Sequence, residues 1–174
     1  MRCRMLTDVG RRQFLRGSGI AAAAVTAGAV ASAPAKATPA LARVDYPSTR
    51  LANVKDLMVD EPLDIAYPDE ASPGVLLKLG IPVEGGAGPE GDIVAFSTLC
   101  PHKGYPLQYV AEDRTLNCPG HYSRFDCERG GFQVWGMATQ NLGQFRLRVD
   151  AQGDIHAEGV DELIYGRTSN VLQG

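Results

Sequence analysis

Cys100-Pro101-His102-Lys103-Gly104 and Cys118-Pro119-Gly120-His121-Tyr122-Ser123 are the two stretches of this 174-residue chain on which its fold turns. Cys100 and His102 lie two apart, Cys118 and His121 lie three apart, and 15 residues separate His102 from Cys118. Two soft thiolates and two imidazoles carried on two Pro- and Gly-rich loops make a four-ligand set suited to Zn²⁺ or to an iron–sulfur centre, and their spacing alone leaves both open. Zinc fingers usually place Cys with Cys in one ligand pair and His with His in the other, whereas each loop here carries one of each. Mixed loops are what a two-iron cluster needs when one iron takes both thiolates and the other both imidazoles, because each loop then reaches across both metals.

Around these loops the chain from Thr38 onward has no long stretch of helical period. Short β-prone runs alternate with Gly, Pro and Asp breakers, as in antiparallel sheets. The runs are Leu63 to Tyr67, Val75 to Leu79, Ile93 to Ser97, Phe132 to Trp135, Phe145 to Val149 and Ile155 to Glu158. The last two read as a hairpin with one wet face: Phe145, Leu147 and Val149 alternate with Arg146 and Arg148, and Ala151-Gln152-Gly153 turns the chain back. Gly85-Gly86-Ala87-Gly88-Pro89 lacks the Lys and the following helix of a phosphate-binding loop and reads as a flexible connection. The domain is therefore expected to be all-β.

The loops, with their Gly and Pro positions that let backbone amides approach sulfur, resemble those of the Rieske family. That resemblance implies an antiparallel β-sandwich or barrel carrying a small cluster-binding subdomain, about residues 98–136, formed by two loops. It implies one [2Fe–2S] cluster, with Cys100 and Cys118 on one iron and His102 and His121 on the other. With neutral imidazoles the oxidised cluster is uncharged and the reduced one carries a single negative charge, so it is easier to reduce than a four-thiolate cluster. Where respiratory Rieske proteins join the loops by a disulfide, this chain has Tyr105 and Gly120, so packing by Tyr105, Tyr109 and Phe125 is expected to hold the cluster lid. Ser123 stands where high-potential members use a hydroxyl to donate to a bridging sulfide, and Phe125 where they use a Tyr hydroxyl near a Cys sulfur. One donor of two implies an intermediate potential. Cys127 is expected to be a small turn residue, and His156 an exposed surface residue.

At 44% hydrophobic and 21% charged, the composition is that of an ordinary globular domain, and four Cys are too few for a disulfide scaffold. Arg2, Arg4, Arg11, Arg12 and Arg16 precede an uncharged, Ala- and Gly-rich stretch from Gly17 to Ala35. This is the layout of an export signal, and Arg11-Arg12-Gln13-Phe14-Leu15-Arg16 resembles the twin-arginine type, which carries already folded cargo across the bacterial inner membrane. Residues 1–37 are assigned to that signal, with cleavage near Ala37, and residues 38–174 to the working domain; a retained signal would instead give membrane attachment. Removal leaves 11 basic and 19 acidic residues, a net charge of −8, which argues against nucleic acid as a partner.

A narrower resemblance rests on Val134-Trp135-Gly136-Met137-Ala138-Thr139-Gln140-Asn141-Leu142 and Gly159-Val160-Asp161-Glu162-Leu163-Ile164-Tyr165-Gly166-Arg167, together with the two loops. These segments look like the small Rieske subunits of arsenite oxidases. That family implies a periplasmic, non-catalytic electron-transfer subunit beside a large molybdopterin subunit that oxidises arsenite. Electrons would pass one at a time to a soluble cytochrome c or copper protein, with no small-molecule substrate bound by this chain. Tyr165 to Val171 is a candidate docking element. The alternatives are a stand-alone Rieske ferredoxin or respiratory Rieske subunit and, from a different class, a Zn-stabilised binding module.

Overall fold

The computed structural model of the chain describes residues 45–172; the export signal assigned to residues 1–37, and its boundary, lie outside the described residues. In chain order the strands are β1 (Thr49–Asn53), β2 (Leu63–Ala66), β3 (Pro73–Lys78), β4 (Ile93–Ser97), β5 (Gln108–Val110), β6 (Thr115–Asn117), β7 (Arg124–Asp126), β8 (Phe132–Trp135), β9 (Phe145–Val149) and β10 (Asp154–Val160). A 3₁₀ turn, Val54–Asp56, is the one helical element among the described residues. The strands form three sheets, ordered β1-β10-β9, β2-β3-β4 and β5-β6-β7-β8, with antiparallel neighbours throughout. The all-β expectation holds.

The middle sheet explains why β3 and β4 read as continuous apolar runs. Successive side chains of a strand point to opposite faces, and both faces of these strands are buried. Leu76, Ile93 and Ala95 face one core with Phe145, Ile155 and Ala157 of the first sheet. Val75, Leu77, Val94 and Phe96 face a second core with Leu107, Leu116, Phe125 and Leu142. Each fully buried side chain of this kind contributes about 1.5–3 kcal/mol. Cys100, Cys118 and Cys127 sit in this second core, so the loops that carry the candidate ligands rest on the hydrophobic floor of the middle sheet.

The β9–β10 hairpin forms as expected, with Ile155 opposite Val149 and Ala157 opposite Leu147. Asp150 organises its turn: its Oδ1 accepts from the N–H groups of Gln152 and Asp154, both at 2.9 Å. His156 departs from the expectation of an exposed residue. It is half-buried, and its Nε2 lies 3.2 Å from Asp150 Oδ2, a contact that the turn creates. The Gly85 to Pro89 connection is also more ordered than its composition suggested. Ala87 pairs with Ile93, Gly86 N–H donates to Val83 O at 3.1 Å, and Gly86 lies so close to Gly91 O that a Cβ has no room.

Candidate metal centre

The two Cys-bearing loops share one hydrogen-bond frame. The first connects β4 to β5: Cys100 N–H donates to Tyr105 O at 2.9 Å and Gly104 N–H donates back to Cys100 O at 2.7 Å. The second connects β6 to β7: Cys118 N–H donates to Ser123 O at 2.8 Å and Tyr122 N–H donates back to Cys118 O at 3.1 Å. In both, the fourth residue after the Cys takes a left-handed conformation, Gly104 at φ 69° and Tyr122 at φ 59°. Gly adopts this geometry without steric cost, whereas a bulky side chain does not. Each loop thus folds its Cys inward and presents its His near the rim.

The four residues separate by type. Cys100 and Cys118 are 1% and 3% exposed and lie in the same buried cluster. Burial pushes the Cys100 thiol up, while backbone N–H groups of His102 and Lys103 that donate to its sulfur pull the other way. The His102 and His121 rings meet at 4.8 Å between centroids, 73° apart in plane. His102 Nδ1 is buried and has no hydrogen-bond partner. An orphaned buried nitrogen of this kind costs about 1–3 kcal/mol, and its lone pair is the atom an iron would take up. Thiol beside thiol and imidazole beside imidazole fit a two-metal group with one pair on each metal. The pairing of one Cys and one His on each loop favours the binuclear reading over a mononuclear zinc site.

Ser123 is fully buried, and its Oγ accepts from the N–H groups of Met137, at 3.1 Å, and Ala138, at 2.9 Å. With both lone pairs engaged, its proton remains to be donated. The clamp depends on Gly136, at φ 94°, whose missing side chain would lie 2.5 Å from Ser123 N. Phe125 is fully buried in the core and brings no hydroxyl.

The positions expected to replace a disulfide are in contact. A Cβ on Gly120 would lie 3.0 Å from Tyr105 Cδ2 and 3.1 Å from Cγ, so the Tyr105 ring packs on the bare backbone of the second loop. The same ring meets His121 at 6.0 Å, nearly perpendicular. Tyr109 has a different place. It packs against the second core and its hydroxyl donates to Asp60 Oδ1 at 3.1 Å, within a network in which Arg114 pairs with Asp60 and Glu128. Tyr109 therefore ties the cluster-side sheet to the segment before β2 rather than closing the lid. Cys127 is a turn residue, as expected, and also a core residue; burial raises its thiol far above its ordinary value and leaves it unreactive.

Around the second loop, Tyr122, Trp135 and Met137 are 73%, 67% and 62% exposed. The Tyr165 to Val171 segment, a candidate docking element, is held by its own chain: Arg167 makes a two-pronged pair with Asp69 at 2.6 and 2.8 Å, and Tyr165 packs on Gly104. Sequence reading missed the roles of Gly136, Asp60 and Arg114. Only Gly136 carried a local signal, as a Gly just after a strand.

The family model for the Rieske [2Fe-2S] domain matches residues 49–146. The chain is 42% identical over 93% of its length to the iodate reductase subunit IdrB of Denitromonas iodatirespirans, spanning 86% of that protein. It is 40% identical over 91% of its length to the iodate reductase subunit IdrB of a Pseudomonas species, strain SCT, spanning 82% of it. Among solved structures, the soluble domain of the Rieske protein II (soxF) from Sulfolobus acidocaldarius superposes with a TM-score of 0.63 at 26% identity, covering 71% of this chain and 82% of that one.

Proposed function

Because the chain belongs to the Rieske [2Fe-2S] family, we propose that it is the electron-transfer subunit of an oxyanion oxidoreductase whose catalytic chain is a large molybdopterin protein. The observation that carries the reading is the likeness of nearly the whole chain to two iodate reductase subunits. Iodate is accordingly the first substrate assignment. Arsenite is the second, favoured by the segments 134–142 and 159–167, which look like those of arsenite oxidase small subunits.

In this reading Cys100 and Cys118 hold one iron and His102 and His121 the other. A bound cluster supplies one-electron redox chemistry at a potential within about −150 to +300 mV. The chain's own residues do the rest. Backbone N–H groups beside Cys100, and the Ser123 proton left over because its oxygen accepts from Met137 and Ala138 N–H, would favour the more negative, reduced state by donating toward sulfur. The core beneath Cys100 and Cys118 excludes water. His121, exposed at the rim, offers the short route to a docked partner. On this chain's outer side we place a soluble cytochrome c or copper protein. Export by the twin-arginine pathway to the periplasm, with residues 38–174 as the working domain, completes the proposal.

The test is to co-express the chain with its large partner and follow the electron paramagnetic resonance signal of the reduced cluster. Loss of a pre-formed reduced signal on adding iodate supports the first assignment, and appearance of the signal on adding arsenite supports the second. Purification of the iron- and sulfide-containing chain with no large partner would overturn both in favour of a stand-alone ferredoxin. A respiratory subunit would instead copurify with a cytochrome b.

A further inference from the structure

The C-terminal segment ends in a contact that neither the loops' own geometry nor the proposed function requires. Gly104, the left-handed residue of the first loop, is covered by the ring of Tyr165: a Cβ at Gly104 would lie 2.5 Å from both Cδ1 and Cε1. The ring therefore rests directly on the backbone of the loop, beside Lys103, whose N–H donates to the Cys100 sulfur. The ring is not a loose tail. Ile164 before it is buried in the first core, at 2% exposure. Arg167 after it is paired twice with Asp69 and donates to Asn170 O at 3.2 Å. Asn170 in turn accepts from Ile164 N–H at 2.8 Å and donates to Glu162 O and the Tyr46 hydroxyl, at 2.8 and 3.0 Å. The Tyr165 hydroxyl has no hydrogen bond among the described residues, so packing is what the side chain supplies.

We infer that Tyr165 is a positioning residue for the cluster, a fixed arm that presses the first loop into the closed geometry in which Cys100 N–H meets Tyr105 O and Gly104 N–H meets Cys100 O. The inference rests on the reading that this loop holds a [2Fe–2S] cluster. Donors to sulfur stabilise the reduced state, so a loop released at Gly104 loses donor alignment and the potential falls. Among the described residues, the second loop is held instead by the Gly136–Ser123 clamp and by Tyr105 on Gly120.

The full chain, purified with its cluster, is compared with Tyr165→Ala, Tyr165→Phe and Arg167→Ala by voltammetry, electron paramagnetic resonance and the rate of cluster loss to an iron chelator. Tyr165→Ala is expected to lower the midpoint, shift the resonance and speed cluster loss on the order of tenfold, the scale of one lost packing contact. Tyr165→Phe retains all three wild-type values. Arg167→Ala moves them in the same direction by less, and adds nothing to the potential in the Tyr165→Ala background. A wild-type potential and spectrum in Tyr165→Ala, or equal effects of Ala and Phe, overturns the inference. If Tyr165→Ala does not fold, Tyr165→Leu and Arg167→Ala decide by the same readouts. A wild-type chain without iron and acid-labile sulfide overturns the cluster reading itself; a loaded wild type with an unaltered Tyr165→Ala overturns only the arm.

Discussion

The two Cys-bearing loops have the same backbone and opposite surroundings. Each closes with the same pair of hydrogen bonds and places its fourth residue in the left-handed region. The first loop has Gly104 there, roofed by Tyr165, whereas the second has Tyr122, 73% exposed, and is secured from below by Ser123 against Gly136. The first is held by distant chain and the second by near neighbours in sequence. Tyr105 on Gly120 joins them by packing where respiratory relatives are expected to use a covalent link. A shared frame fixes where the Cys and His point; the differing supports decide how each loop can be tuned.

The largest expected effect ignores the difference between the loops. Cys100→Ser and Cys118→Ser should each abolish the reduced-cluster signal, and a surviving signal in either would break the assumption that the loops share one centre. Next comes Gly136→Ala, which puts a side chain into Ser123 and a non-Gly residue at φ 94°. Thermal unfolding should report a loss of about 1–3 kcal/mol, with the second loop's amides losing hydrogen-exchange protection before the first loop's. Tyr105→Ala removes the joint between loops and should cost about 1 kcal/mol while leaving the potential close to wild type. Ser123→Ala removes a side-chain donor available only to the second loop. It should lower the midpoint by roughly 50 mV, the one-electron equivalent of a hydrogen bond worth about 1 kcal/mol, and Phe125→Tyr should raise it.

The smallest effect is a pH dependence confined to the support of the first loop. The Arg167 guanidinium beside Asp69 holds its carboxyl below the ordinary carboxylate value. A depressed folded-state pKa means that the contribution is fully present above the unfolded value, near 4, and is lost as pH falls through the lower folded value. Acidification below about pH 4 should therefore speed cluster loss in the wild type more than in Asp69→Asn, measured by absorbance. Equal acid sensitivity in the two would remove Asp69 from the support.

Local pattern carried much of this molecule. The β9–β10 hairpin was legible because alternation and a Gly turn coincide there, and β4 and β8 because their apolar runs are bounded by breakers. The strands β5, β6 and β7 were not, since each has three residues, too few for a period to show. β1 also escaped because its partner β10 lies at the far end of the chain. At the site, residue types and spacing were enough to single out Cys100, His102, Cys118 and His121, and the resemblance to respiratory Rieske loops pointed to Tyr105 and Gly120 as the positions that lack a disulfide. The Tyr165 roof and the Asp60–Arg114 network join positions remote in sequence and left no local trace. His156 was misread because Asp150, its partner, approaches only once the hairpin closes.

Tyr122 holds a bulky side chain in a backbone region that suits glycine. Replacing it with glycine should relieve about 1 kcal/mol of steric conflict, so stability alone does not account for tyrosine here. A consensus-style stabilisation of the isolated chain would change Tyr122 early, and would strip an aromatic ring from beside His121. A variant stabilised in this way would keep the loop's backbone and lose the exposed ring that the second loop presents beside its candidate ligand.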